Sequence, residues 1–258
     1  MLLNRPGVSS FHSIFNKEQI KLRNPISRGD TSCPTLFIKT GREELAALMS
    51  VKGFYDFGYK YQSDVPFSKE LVLKTTTDTY KFYEYGNYIP MGFAYDSYIT
   101  ESELSAITDS DSICVPLAML QNLVIKDTDT TVFTPLLKHG VIKRTATLDS
   151  LVCERRKWTV DNFRGDTRGF SATTDFPSEK VIFFSVASDP GFKAFIDSSE
   201  LEIHKANLGM LAVIVPAGDH ELTFRYCPPG LIPGVFISLI ILISICIATL
   251  ITIRRNTF

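Results

Sequence analysis

Few side chains in this sequence stand in combinations able to do chemistry. Arg155, Arg156 and Lys157 lead into Trp158, the single tryptophan; three cations beside an indole can hold an anionic glycan or lipid headgroup through charge plus a stacking face. The same four residues also read as a solvated strand end with one buried aromatic, which is the more economical reading. Asp219-His220 pairs an acid with an imidazole, but at the start of an amphipathic strand the histidine reads as a turn or outward-facing residue. Glu43/Glu44 and Asp109/Asp111 are the acidic pairs a general acid and base would need; helix-face and loop charges account for them. There is no P-loop, GxGxxG, HExxH or GxSxG motif. Of the five cysteines, Cys246 lies in an apolar run, and Cys33, Cys114, Cys153 and Cys227 lack CxxC or zinc-ligand spacing. Paired and free states of these four both stay open. The residues therefore point to no catalytic group, no metal and no cofactor, with Trp158, Arg155 and Arg156 as weak binding candidates.

The element that positions everything else is the tail, Leu231 to Ile253, LIPGVFISLIILISICIATLITI, which holds no charged residue. At about 1.5 Å per residue it is long enough to cross a hydrocarbon core of roughly 30 Å, and a buried core helix seldom runs so far without a charge. Arg254 and Arg255 follow at once, so the positive-inside tendency places the C-terminus in the cytoplasm and the preceding residues outside. Tyr226 suits the outer interface, and Pro228, Pro229, Pro233 and Gly234 suit a stiff entry and first turn. An exported body needs a route out, yet the first residues show no apolar signal region. This leaves a reversed, tail-anchored topology or a missing N-terminal membrane part, and the paired arginines favour the latter.

A formal net charge of −1 over 258 residues gives no electrostatic footprint for nucleic acid. The residues up to about Pro34 are an irregular, proline-interrupted lead-in. TLFIKT (35–40) is expected as a strand, Gly41–Met49 as a helix and Val51–Tyr61 as a strand-like run; Leu71–Thr75 and Thr79–Tyr85 form a hairpin. An extended stretch from Gly86 ends at Thr100, which caps a short helix from Glu101 with Glu103 in its first turn. A second helix covers Val115–Leu123. From Leu151 the period switches to two: Lys180–Ser185 is almost wholly apolar, hence central, and Leu222, Phe224 and Tyr226 face inward against outward Glu221, Thr223 and Arg225. The expected class is α+β: a mixed α/β unit over 1–150, an antiparallel β-sandwich over 151–229, a transmembrane helix over 230–253 and a tail over 254–258.

The order of several segments resembles the extracytoplasmic C-terminal region of YfhO-family bacterial membrane proteins. Thr79–Phe93, TYKFYEYGNYIPMGF, is similar to the family's "vyeN…lPlgf", and Leu48–Phe54, LMSVKGF, to "lLgvKY". Asp189–Asp197, DPGFKAFID, resembles "GW-x-a-x-iDG", with Phe192 for the Trp and Ser198 for the turn Gly; Val215–Leu231 resembles "lpaGxHxixfxYxPpgl". The resemblance implies a place beside a polytopic glycosyltransferase core that uses lipid-linked sugars, whose membrane helices and acidic catalytic residue lie outside this sequence. It implies as partners the lipid bilayer, that membrane core of the same protein, and a cell-envelope glycan, lipoteichoic-acid-like acceptor or lipid-linked sugar, with no nucleic acid. It also implies a bacterial cell-membrane location, and a chain that is not catalytic by itself. The alternative is a single-span surface module that binds or senses without enzymatic activity; a cytosolic tail-anchored protein is the third reading.

Overall fold

The computed structural model describes residues 43–56, 71–108 and 115–256. The expected strand 35–40, the lead-in, Asp109, Asp111, Cys33 and Cys114 lie outside the described residues, as do the ends of the helix and strand expected around 41 and 61.

Two antiparallel sheets face each other. One has the order β13-β14-β10-β4, built from β4 (Phe93–Tyr95), β10 (Lys180–Ala187), β13 (His204–Ala206) and β14 (Met210–Val215). The other has the order β12-β11-β15-β9-β8, from β8 (Asp161–Asp166), β9 (Gly169–Phe176), β11 (Phe192–Ile196), β12 (Ser199–Leu201) and β15 (Gly218–Tyr226). Between them lies a core in which the Phe170 and Phe224 rings stack at 4.2 Å and Phe184 meets Phe224 edge-on at 5.0 Å. β10 is central, and it is apolar on both faces because both are covered. Ile182 and Phe184 enter the sandwich core, while Val181 and Phe183 enter a second core on the other side. β9 and β15 have one covered face, so they alternate: Leu222 and Phe224 are buried, Glu221 and Arg225 exposed.

The second core is closed by α1 (Glu43–Leu48), α3 (Val115–Gln121), α5 (Leu148–Arg156) and a small parallel sheet of order β6-β5-β7, made of β5 (Ser97–Thr100), β6 (Leu123–Ile125) and β7 (Lys138–His139). β5 runs into α2 (Glu101–Thr108) through a reciprocal cap: Thr100 N donates to Glu103 Oε2 at 2.8 Å, and Glu103 N to Thr100 Oγ1 at 3.3 Å. The one-turn helix α4 (Thr130–Phe133) follows β6 and buries Phe133. A three-stranded sheet of β1 (Gly53–Asp56), β2 (Leu71–Thr76) and β3 (Lys81–Tyr85), order β1-β3-β2, contains the expected hairpin. The last element is α6 (Leu231–Asn256).

The α+β class matches expectation, but the sandwich is not confined to 151–229: β4, from the stretch expected to belong to the mixed unit, pairs with β10 and forms an edge of one sheet. The stretch from Leu151 does not begin as a strand: Leu148–Arg156 is a helix, capped by Thr147 accepting from Ser150 N. Its stripe Leu148, Leu151, Val152, Arg155 has i, i+3, i+4, i+7 spacing and faces the core. The helix expected to reach Leu123 stops at Gln121, because Leu123–Ile125 pairs with β5.

Turns close the sheets at specific positions. β11 and β12 are joined by Asp197 and Ser198, both at positive φ (47° and 72°), as a two-residue hairpin loop of this hand requires. At Gly169 a Cβ would stand 2.0 Å from the carbonyl oxygen of Phe224, so only glycine lets β9 approach β15 there.

Candidate functional site

The three residues singled out as binding candidates sit close in sequence and diverge in space. Arg155 is only 2% exposed. Its guanidinium donates to Leu120 O (3.0 Å), Ala94 O (2.8 Å) and Gln121 O (3.2 Å) and lies 4.5 Å from the centre of the Tyr95 ring. Glu154 Oε1 is 3.4 Å away at the helix surface. The charge is thus held by the carbonyls at the end of α3 and by an aromatic face, an arrangement that satisfies a buried cation without a buried acid. Tyr95 completes the network: its hydroxyl donates to Met119 O at 2.7 Å and accepts from Asn207 Nδ2 at 3.2 Å. Burial pushes the Tyr95 phenol up to about 12, opposed by the Arg155 charge and the Asn207 hydrogen bond. Asn207, fully buried at positive φ, then exchanges two bonds with Val124, from Val124 N to its side chain (2.9 Å) and from its own N–H to Val124 O (2.7 Å). Arg155, Tyr95 and Asn207 therefore join the sandwich to the helical layer.

Arg156, one residue on, points outward. Its Nε donates to Tyr88 O (2.8 Å) and its Nη2 to Gly86 O (2.6 Å), clamping the segment between β3 and β4; Asn87 Nδ2 reaches Asp149 Oδ1 at 3.0 Å in the same clamp. Trp158 turns the other way, against the sandwich edge, with Phe176 at 6.4 Å between centroids and Lys180 Nζ 4.8 Å over its ring. Lys180 is itself ion-paired with Asp96 at 2.7 Å. The three side chains share no cleft. Arg155 is satisfied within the fold, Trp158 packs against Phe176 and under Lys180, and the Arg156 donors are taken up by backbone carbonyls.

His220 is also engaged. Its Nδ1 meets Asp197 Oδ2 at 2.6 Å and its Nε2 meets Ala217 O at 3.3 Å, while Asp197 Oδ1 accepts from Glu221 N at 2.9 Å. The hydrogen bond to Asp197 raises the imidazole above its ordinary value, and backbone and imidazole bonds hold the Asp197 carboxyl below its own. This is a clamp on the β11–β12 turn.

A further polar group gathers at the carboxyl ends of β5, β6 and β7. His139 Nε2 meets Glu103 Oε1 at 2.9 Å, Thr100 Oγ1 meets Ser102 Oγ at 2.9 Å, and Ser102 Oγ donates to Asp127. Burial pushes the Glu103 carboxyl up, but the Thr100 N–H and His139 outweigh it and the net shift is downward; the Ser102 hydroxyl lowers Asp127. Both Glu103 oxygens are occupied, so the cluster fastens the start of α2 to the parallel sheet. Among the described residues no group of three His, Cys, Asp or Glu is placed to hold a metal ion, and Cys153 and Cys227 are free and exposed.

What remains unpartnered is α6. Leu231–Ile253 has mean hydropathy 2.9 and none of it is buried against the rest of the chain, the one such span among the described residues. The body meets it directly: Cys227 N donates to Gly191 O at 3.0 Å, and Leu231 N to Pro228 O at 3.1 Å, as the chain turns from β15 into the helix.

Residues 144–238 match the family model described as bacterial membrane protein YfhO. No curated protein and no solved structure matches the chain. The match starts just before α5, covers both sandwich sheets except β4, and ends inside α6. Residues 144–238 are thus similar to a YfhO-family domain, and that match and the apolar span of α6 together support membrane association.

Proposed function

We propose that this chain is the extracytoplasmic C-terminal portion of a YfhO-like membrane glycosyltransferase, anchored by α6 and not catalytic by itself. The observation that carries this reading is the family match running unbroken from α5 through the sandwich into the membrane helix. In this role the body stands outside the bacterial cell membrane beside a polytopic core that takes lipid-linked sugars, and helps hold a cell-envelope glycan or a lipoteichoic-acid-like acceptor. Arg254 and Arg255 after the span support the outward orientation. The structural engagement of Arg155, His220, Glu103 and Asp127 supports a supporting rather than chemical part.

Two measurements test it. The full chain in proteoliposomes, offered a polyprenyl-phosphate sugar and an acceptor glycan, is expected to show no transfer; turnover overturns the non-catalytic assignment. In intact cells an impermeant thiol reagent is expected to label A217C, at an exposed turn of the body. Protection of that site with labelling at F258C reverses the topology. A second reading, a single-span surface module that binds or senses, is favoured by the one span among the described residues. Co-purification with a polytopic membrane protein separates the two, since the surface module needs none.

A further inference from the structure

Four residues, Cys227 to Gly230, separate the end of β15 from the start of α6. At a limit of about 3.6 Å per residue, Tyr226 cannot stand more than roughly 18 Å from Leu231, and the Leu231 N to Pro228 O bond shortens the path. One end of the sandwich is therefore held at the headgroup layer of whichever bilayer α6 crosses. The hairpin tip between β8 and β9, Asp166 to Gly169, lies at that end: Tyr226 N donates to Arg168 O at 2.6 Å.

Charge sorts along these strands. By register, Asp161, Asp175, Asp219 and Glu221 lie toward the far end, whereas Arg164, Arg168 and Arg225 lie toward the helix. The acid at the near end of these strands, Asp166, is already committed, with Oδ1 accepting from Arg168 N at 2.6 Å and Oδ2 from Arg225 Nη1 at 2.5 Å. Asp189 in the adjacent turn accepts from Gly191 N at 2.9 Å. The guanidinium groups of Arg164 and Arg168 are exposed, with no acidic partner among the described residues. Planar, forked donors this close to a headgroup layer match its phosphates.

We infer that the β8–β9 hairpin, through Arg164 and Arg168, docks on the anionic phosphate surface of the bilayer that α6 spans, and so fixes the tilt of the sandwich. The inference rests on α6 spanning the membrane and holds on either side of it. Each basic side chain at an anionic surface strengthens the contact roughly fivefold, so the pair acts as a latch on a body already tethered.

The test uses the full chain in nanodiscs, with an environment-sensitive fluorophore at T167C, native cysteines replaced by serine, and a quencher at headgroup depth. Quenching several-fold stronger with phosphatidylglycerol than with phosphatidylcholine alone is expected. It should fall in 0.5 M salt and drop to the phosphatidylcholine level in R164Q/R168Q. A fluorophore at A217C, about 30 Å away along β15, should respond to neither. Equal quenching of T167C in both lipids, or none lost in the double variant, overturns the latch while leaving the span intact. A chain that does not enter nanodiscs overturns the span and the latch together.

Discussion

β10 and α6 are built from the same side-chain types and are treated in opposite ways. Val181, Ile182, Phe183 and Phe184 have no exposed surface, each packed into one of two cores, whereas the isoleucines and leucines of α6 are 49–66% exposed. Apolar area removed from water is worth about 25 cal/mol per Å², so an exposed stripe of this size is tenable only where the solvent is lipid. The contrast also shows how each segment handles its backbone. β10 depends on neighbours on both sides for its hydrogen bonds, while α6 closes its own and needs none; Ser238, Ser244, Thr249 and Thr252 fold their hydroxyls back onto carbonyls four residues earlier at 2.8–2.9 Å. The strand can exist only inside the body, and the helix can stand away from it.

That contrast can be broken from either side. The largest effect is expected for Phe183→Ala, which opens a cavity where Phe93 and Tyr95 pack at 5.2 and 6.1 Å. Denaturant unfolding of the full chain in detergent should show a loss of about 3–5 kcal/mol, with membrane partitioning unchanged. Next is Ile243→Arg near the middle of the span, costing about 3 kcal/mol of insertion. Carbonate extraction should release more of the variant while the unfolding midpoint of the body holds. Loss of the body's stability instead would mean that α6 packs on it.

Arg155→Met is expected to cost about 1–3 kcal/mol, because three buried carbonyls lose their donor, while Arg156→Met, on the surface, should cost less. Equal losses would remove the distinction between the two arginines. The smallest effect concerns pH. The raised His220 contributes stability that is whole below its unfolded value of about 6.5 and fades as pH rises through its higher folded value; Asp197 contributes above about 3.9, fading as pH falls through its lower folded value. His220→Asn should flatten the decline on the alkaline side of 6.5 in a thermal-melting series, whereas Phe183→Ala should lower the melting temperature and keep that decline.

Much of the fold was legible in particular residues. Alternation in β15, the apolar run of β10, the Thr100–Glu103 cap and the uncharged tail each carry their own period or chemistry. The three- and four-residue strands β4, β5 and β6 were not legible, since so few residues cannot show a period. α5 was missed for a different reason: Arg155 occupies the core-facing position of its stripe, so the helix lost one apolar mark. With the helix register in hand, the spacing from Leu148 through Leu151 and Val152 assigns Arg155 inward and Arg156 outward. Asn207 left only a turn signal, Asn207-Leu208-Gly209, and nothing local announced its bonds to Val124 and Tyr95.

The amino-acid order alone decided the membrane helix and the alternating strands, because a helix closes its own hydrogen bonds and a strand's two faces are written at every second residue. Only the tertiary structure decided that Arg155 is a buried strut, that β10 has a core on each side and that the cations of one hairpin lie at the end of the sandwich from which α6 departs. Those facts depend on which distant segments meet, and contact free energies between such segments are set by the three-dimensional arrangement rather than by any local run of residues.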